Sequence, residues 1–237
     1  MFENALSPIA VAGAGGFGRE TADVIRTLYP DPDAAIFAGF LDDGTPGGPV
    51  LGPIDMIHSL PGLRLVVCVG NPRDYFARAR IVQRLALPTS RYATVVHPLA
   101  HVSPTSTVGA GSVLLAGAVL TADAVVGRHV AVMPHTVVTH DAVVGDFATL
   151  ASGVKLGGGT RIGEGAYIGA GAMVREGVRI GAWSQIGMGS VVLRDVPEGE
   201  VWVGNPARKL RAVERPEPDS IPGPELYPDP VTPEAVL

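Results

Sequence analysis

The chain has 237 residues, 46% of them hydrophobic, and a formal net charge of -5; this is ample apolar material for one or two packed domains and excludes a disordered polypeptide. Without a block of Lys or Arg, that charge argues against nucleic acid or an anionic membrane surface as the main partner and favours small molecules. The single cysteine, Cys68, lies in the apolar run Leu65–Val69 and reads as a buried core thiol in a reducing, cytoplasmic setting. The N-terminus lacks the basic-then-apolar pattern of a secretory signal. The uncharged run 108–122 is interrupted by Gly, Ser and Thr on a fixed beat, so no membrane span is expected.

The first element is a short apolar strand ending at Ala12, followed at once by Gly13, Gly15 and Gly18 in the spacing GxGxxG and then by a helical stretch, Arg19–Leu28. Strand, glycine turn and helix in this order let backbone N–H groups approach a phosphate at a helix N-terminus. A second strand, Ile36–Leu41, ends in Asp42 and Asp43, placed where an acidic side chain could accept hydrogen bonds from sugar hydroxyls. Further strands are expected at Leu65–Val69 and Ala93–Val95, with a helix over Arg73–Leu85. Four strands make half of a dinucleotide-binding fold, sufficient for a mononucleotide, and no domain for hydride transfer follows.

From Val96 to Pro197 an aliphatic residue recurs at every sixth position, from Val96, Val102, Val108 and Leu114 through to Ile180, Ile186 and Val192. Four residues after each stands Ala, Ser, Thr or Val, and Gly follows the aliphatic residue in eight units. Because side chains alternate along a strand, the small residue and the aliphatic one two positions later share a face, which leaves the positions between units to turn. Each unit is a short strand plus a corner, and no coil could bury its apolar face without its neighbours. The stretch resembles the left-handed parallel β-helix of hexapeptide-repeat acyltransferases, whose coils hold three units, or eighteen residues.

Within such a coil His140, two residues after Val138, stands on a corner. Gly158 stands on the same corner one layer up, about 4.8 Å away. Acyl transfer needs a base for the acceptor's proton and a donor for the developing oxyanion. His140 supplies the first and the backbone N–H of Gly158 the second, in a glycine cluster, Gly157–Gly159, that would let an acyl carrier lie close to the chain.

Taken together, the two halves resemble the sugar O- and N-acetyltransferases that include sialic acid O-acetyltransferases and bacterial UDP-4-amino-sugar N-acetyltransferases. The resemblance runs to Leu210 and is carried by GAGGFGRE (13–20), FLDD (40–43), VGNP (69–72), VVHP (95–98), THDAVVGD (139–146) and GNPAR (204–208). It implies an acetyl-CoA-dependent transferase, a nucleotide-sugar acceptor and a homotrimer with its sites between prisms. By position it implies His140 as catalytic base beside Asp141 and Gly158 as oxyanion donor. It places Gly158, Ala170, Gly187 and Arg208 along the acetyl-CoA groove, and Gly13, Gly15, Gly16, Asp42, Asp43 and Asn71 at the nucleotide sugar. The chain departs from its relatives at Phe17, Met133 and Thr149, where many of them carry His, Asn and His.

Two other readings compete. Some β-helices of this kind are zinc-dependent carbonic anhydrases, and His135 and His140 have their HxxxxH spacing. However, His129, His135 and His140 belong to successive units and hence to three corners, and the position two coils before His135 is Leu99, so no metal is expected. A non-catalytic nucleotide-sugar scaffold is the other. The sequence divides into an α/β domain (1–95), the β-helix (96–197), a cap (198–210) and a proline-rich, disordered tail (211–237).

Overall fold

The computed structural model describes residues 7–31, 36–44 and 50–214; the expected tail lies outside them from residue 215 onward. The N-terminal region contains strand β1 (Ile9–Ala12), helix α1 (Gly16–Leu28), strands β2 (Phe37–Leu41), β3 (Val50–Gly52) and β4 (Arg64–Val67), and helix α2 (Ala77–Leu85). The strands form one parallel sheet in the order β3-β2-β1-β4. Strand β1 is fully buried and so near-continuously apolar, as expected for a parallel strand covered on both sides.

Three details differ from the sequence reading. Strand β3 is too short to leave a periodic signal; its Leu51 fills the space left by Gly39 of β2, where a Cβ would stand 2.9 Å from the Leu51 side chain. Helix α2 begins at Ala77 rather than Arg73, because Asn71 holds the preceding residues in a turn: its Oδ1 accepts from the Arg73 N–H and its carbonyl from the Asp74 N–H. The stretch Ala93–Val95 is not a strand of this sheet. Tyr92 makes a single bridge to Leu65, and Val95 already pairs with Val113 in the repeat.

From Val95 the chain is a parallel β-solenoid of two-residue strands that visit three sheets in rotation. In each strand the second residue points inward, and Leu114, Leu120, Val132, Val138, Leu150, Ile168, Ile186 and Val192 are fully buried. Every such side chain removed from water contributes about 1.5–3 kcal/mol, so the stack is stabilised rung by rung. The small residues four positions after the aliphatic ones also face in. Where they are Ser, the hydroxyl bridges to the next rung: Ser112 donates to the Gly127 carbonyl and accepts from the Val130 N–H.

The three sheets give the solenoid three faces and three edges. One face, with Val95, Val113, Ala131, Thr149, Tyr167 and Gln185 as its outward residues, carries the N-terminal region. From Gly111 to Gly189 every corner takes a left-handed backbone residue at the third position after the aliphatic one. Along the docked edge these are Gly111, His129, Phe147, Gly165 and Trp183; along the open edge, Asp123, Asp141, Gly159 and Gly177; along the glycine edge, Gly117, His135, Gly153, Gly171 and Gly189.

Aromatic residues with positive φ are unusual. Phe147 and Trp183 occupy such positions because their rings seat the N-terminal region: Phe76 stacks on Trp183 with ring centroids 4.9 Å apart, and Tyr92 meets His129 edge-on at 4.5 Å. Between them Arg78 of α2 is buried and donates to the carbonyls of Phe147 and Ala148 and to the Thr149 hydroxyl, at 2.8, 3.1 and 2.8 Å. Burial lowers its pKa to about 10, which leaves it charged at neutral pH.

At the C-terminal end a hairpin, Glu200–Gly204 with Ala207–Ala212, adds to the covered sheet through Gln185 and Ile186. Trp202 and Ala207 close the apolar core there. No helix among the described residues is long and apolar enough to cross a membrane.

Candidate active site

The open edge is the one farthest from the face that carries the N-terminal region. His140 and Asp141 stand on it, with side chains 67% and 66% exposed. Asp141 takes the left-handed corner position, φ +59°, which Asp tolerates well, and its N–H donates to the Ala122 carbonyl one rung below. This corner aims the carboxylate at its neighbour, and Asp141 Oδ2 lies 2.7 Å from His140 Nδ1. An ionised carboxylate only accepts, so Nδ1 donates to Asp141 and, in the neutral ring, Nε2 on the Gly158 side keeps its lone pair.

Gly158 lies directly above. A Cβ at that position would stand 2.5 Å from both Cε1 and Nε2 of the imidazole. The backbone at Gly158 is not left-handed, so the missing side chain is required by the ring of His140 and not by the turn. The Gly159 N–H donates to the His140 carbonyl at 2.8 Å, which ties the two rungs together, whereas the Gly158 N–H has no acceptor among the described residues. A hydrogen-bond acceptor with a free lone pair thus faces outward beside a free amide donor.

The N-terminal residues gather elsewhere. Gly13, Gly15 and Gly16 follow β1, Asp42 follows β2 and Asn71 follows β4, so they share the C-terminal edge of the parallel sheet, where the strand order reverses between β1 and β4. Gly13 and Gly18 have packing reasons: φ is +104° at Gly13, and a Cβ on Gly18 would lie 1.8 Å from the Gly13 carbonyl oxygen. Gly15 and Gly16 are different, because a Cβ on either would meet nothing within 4 Å. The open ground lies at the N-terminus of α1, which starts at Gly16, three residues before the expected start, and has no side-chain cap. Asp42 supports this turn by accepting from the Ala14 N–H at 2.6 Å and the Gly44 N–H at 2.7 Å. Asp43, expected beside it, is committed elsewhere: it accepts from the Ile54 N–H and pairs with Arg84 at 2.7 Å.

The structure therefore assembles the expected residues in three places. His140, Asp141 and Gly158 share the open edge. Ala170 and Gly187 lie on the glycine edge, where the Ala170 carbonyl accepts from the Gly189 N–H, and Arg208 lies on the terminal hairpin beside it. The residues expected at the nucleotide sugar lie on the far side of the covered face, with about 10 Å or more of packed core between them and His140. The other histidines disperse as the six-residue arithmetic requires. His135 is on the glycine edge, and His129 is buried on the docked edge, its pKa lowered to about 3 by burial and by the charges of Arg78 and Arg128. Among the described residues, no three His, Cys, Asp or Glu side chains converge. Cys68 is buried, and its thiol is pushed up to about 12 by burial.

Sequence reasoning missed two parts of this arrangement. The need for Gly158 to clear the imidazole depends on a ring orientation that the sequence does not carry. The buried cation at Arg78 reads in the sequence as one more helical arginine.

A β-solenoid of hexapeptide units with an exposed His-Asp pair at a bare corner defines a hexapeptide-repeat transferase, and the comparisons agree. The family described as bacterial transferase hexapeptide (six repeats) matches residues 159–194. Among solved structures, the acetyltransferase domain of PglB from Neisseria gonorrhoeae FA1090, in complex with acetyl coenzyme A, is 34% identical. The match covers 86% of this chain and 99% of that one, with a TM-score of 0.76. A histidine-to-alanine variant of GDP-perosamine N-acetyltransferase from Caulobacter crescentus, in complex with CoA and GDP-perosamine, is 28% identical over 86% of this chain and 96% of that one, with a TM-score of 0.75. WeeI from Acinetobacter baumannii AYE is 27% identical over 86% and 99%, with a TM-score of 0.67. No curated protein matches by sequence. The chain belongs to the hexapeptide-repeat sugar acetyltransferase family.

Proposed function

We propose that this protein transfers an acetyl group from acetyl-CoA to the amino group of a nucleotide-linked sugar. The observation that carries the reading is the open edge: a solvent-facing Nε2, oriented by Asp141 and set against the free N–H of Gly158. The relatives support the ligands, since one is named with acetyl coenzyme A and another with CoA and GDP-perosamine.

In this reading His140 takes the proton from the attacking amine, and Asp141 stabilises the imidazolium so formed. The Gly158 N–H donates to the oxygen of the thioester carbonyl as charge develops there. His140 then returns its proton to the departing thiolate. No metal has a part in these steps. The solenoid is a left-handed β-helix over 96–197, and the first 95 residues are a Rossmann-like half-domain that takes the nucleotide sugar at Gly13, Gly15, Gly16, Asp42 and Asn71. The cap runs through the hairpin to Ala212, two residues beyond the expected boundary at 210, and the tail follows it.

Because those residues and His140 lie on opposite sides of one prism, a complete site needs two chains. His140, Asp141 and Gly158 of one copy meet the N-terminal domain and the groove residues Ala170, Gly187 and Arg208 of the next, in a homotrimer. A donor made in the cytoplasm places the enzyme there.

The direct test is thiol release from acetyl-CoA in the presence of UDP-, GDP- and dTDP-linked amino sugars. The wild-type chain should release thiol with one of them and His140→Ala should not; equal turnover by the variant would rule out the role of His140. Nucleotide-sugar binding without any CoA binding would favour the scaffold reading.

A further inference from the structure

The open edge changes character above His140. One residue after the inward aliphatic position it reads Thr139, Gly157, Arg175 and Leu193; two residues after, it reads His140, Gly158, Glu176 and Arg194. Below His140 the same positions hold Thr121 and Ala122, then Ser103 and Pro104. The cations of this edge thus lie only on the C-terminal side of the histidine. Both arginines are exposed, and neither forms an ion pair with a carboxylate among the described residues. Arg175 and Arg194 sit on successive rungs, joined where the Arg175 N–H donates to the Val192 carbonyl at 2.9 Å. Arg194 is held in place by Trp202, with its guanidinium 5.3 Å from the ring centroid.

The spacing is informative. At about 4.8 Å per rung, Arg175 stands about 10 Å and Arg194 about 14 Å above His140. In acetyl-CoA about thirteen bonds separate the thioester sulfur from the first phosphorus, or about 16 Å when extended at roughly 1.25 Å per bond. A thioester placed at the Gly158 N–H and a pantetheine arm lying up the edge therefore bring the diphosphate to the level of the two arginines. The ground between is bare: a Cβ on Gly159 or Gly177 would meet nothing within 4 Å. Two acids share this edge above His140: Glu176, on the rung between Gly158 and Arg194, and Asp195, beside Arg194, whose Oδ1 accepts from the Arg179 N–H.

We propose that Arg175 and Arg194 bind the diphosphate of the acyl donor and so set the register that brings its carbonyl to Gly158. The inference rests on the reading that acetyl-CoA is the donor. It adds a second anchor to Arg208, which in the assembled site comes from the neighbouring copy. Two guanidiniums fixed two and three rungs from the base make the donor's phosphates a measure of length, so that a thioester without them lies unanchored on the edge.

The test compares acetyl-CoA with S-acetylpantetheine, which lacks every phosphate, in the wild-type chain and in Arg175→Gln/Arg194→Gln. With acetyl-CoA, KM in the variant should rise about 10- to 100-fold with kcat within about twofold, the pattern of lost ground-state anchoring. With S-acetylpantetheine the two chains should have equal kcat/KM. Partial recovery is expected in Arg175→Lys/Arg194→Lys. An unchanged KM for acetyl-CoA, or an equal loss with both donors, would overturn the assignment. A wild-type chain that releases no thiol from acetyl-CoA would instead overturn the donor reading itself, and this inference with it.

Discussion

His129 and His140 occupy neighbouring places in the same six-residue repeat, yet their surroundings make them chemically different. Each ring lies against a glycine of an adjacent rung: a Cβ on Gly111 would be 2.3 Å from His129 Nδ1, and one on Gly158 would be 2.5 Å from His140 Nε2. His129 is sealed by Tyr92 and Phe147, has no partner for its Nδ1, and is held neutral by burial and by Arg78 and Arg128. His140 stands in solvent with Nδ1 on a carboxylate and Nε2 free. The solenoid sets each ring against a glycine of an adjacent rung, His129 from the left-handed corner position and His140 from the position before it. Which histidine packs and which one stands in solvent follows from whether the N-terminal region covers the edge.

Substitution should separate the two edges sharply. His140→Ala is expected to lower acetyl transfer by about 10²–10⁴-fold, the usual worth of a positioned base, with a thermal midpoint close to wild type. An enzyme that keeps its rate, or loses its fold, would erase the distinction. On the docked edge the largest effect should come from Arg78→Ala, which strands the carbonyls of Phe147 and Ala148 and the Thr149 hydroxyl in a dry interface. Denaturant unfolding should show a loss of about 3–5 kcal/mol. Gly158→Ala should act on the open edge alone, displacing the imidazole and lowering kcat about 10- to 100-fold with little change in stability.

A pH dependence belongs to the docked edge. His129 is neutral in the folded chain down to about pH 3, against 6.5 for an ordinary histidine. Unfolding therefore takes up a proton between those values, and the stability conferred by the neutral ring is present above about pH 6.5 and lost as pH falls toward 3. The slope from this group is at most about 1.4 kcal/mol per pH unit. His129→Phe, with a ring that Phe147 already accommodates at the same corner position, should flatten unfolding curves measured between pH 7 and 4. An unchanged slope would remove His129 from the account.

The solenoid was legible because its repeat ties two position classes together: Val138 and Leu156 face in, so His140 and Gly158 must share an edge, and arithmetic suffices. Strand β1, the glycine turn and β2 were legible for the same local reason. Strand β3 was not, since three residues at a sheet edge carry no period. The ion pair of Asp43 was not legible because nothing near it in the sequence announces Arg84, 41 residues away in the chain and 2.7 Å away in space. The docked edge was invisible for a deeper reason. His129, Phe147 and Trp183 interrupt the glycine corner pattern without a sequence signal, and only their contacts with Tyr92, Phe76 and Arg78 explain them.

The central claim is that one chain carries the two halves of the site on opposite sides, so that each site is completed by a neighbour. Complementation between two inactive chains tests it. His140→Ala lacks the base, whereas Gly16→Asp places a negative charge on the open ground at the start of α1, where the fold has room for it and a phosphate would be repelled. Coexpressed at equal levels, the two should assemble into mixed trimers in which about a quarter of the sites join an intact base to an intact nucleotide domain, giving about a quarter of wild-type activity. Activity no higher than that of either inactive parent would contradict a site shared between copies.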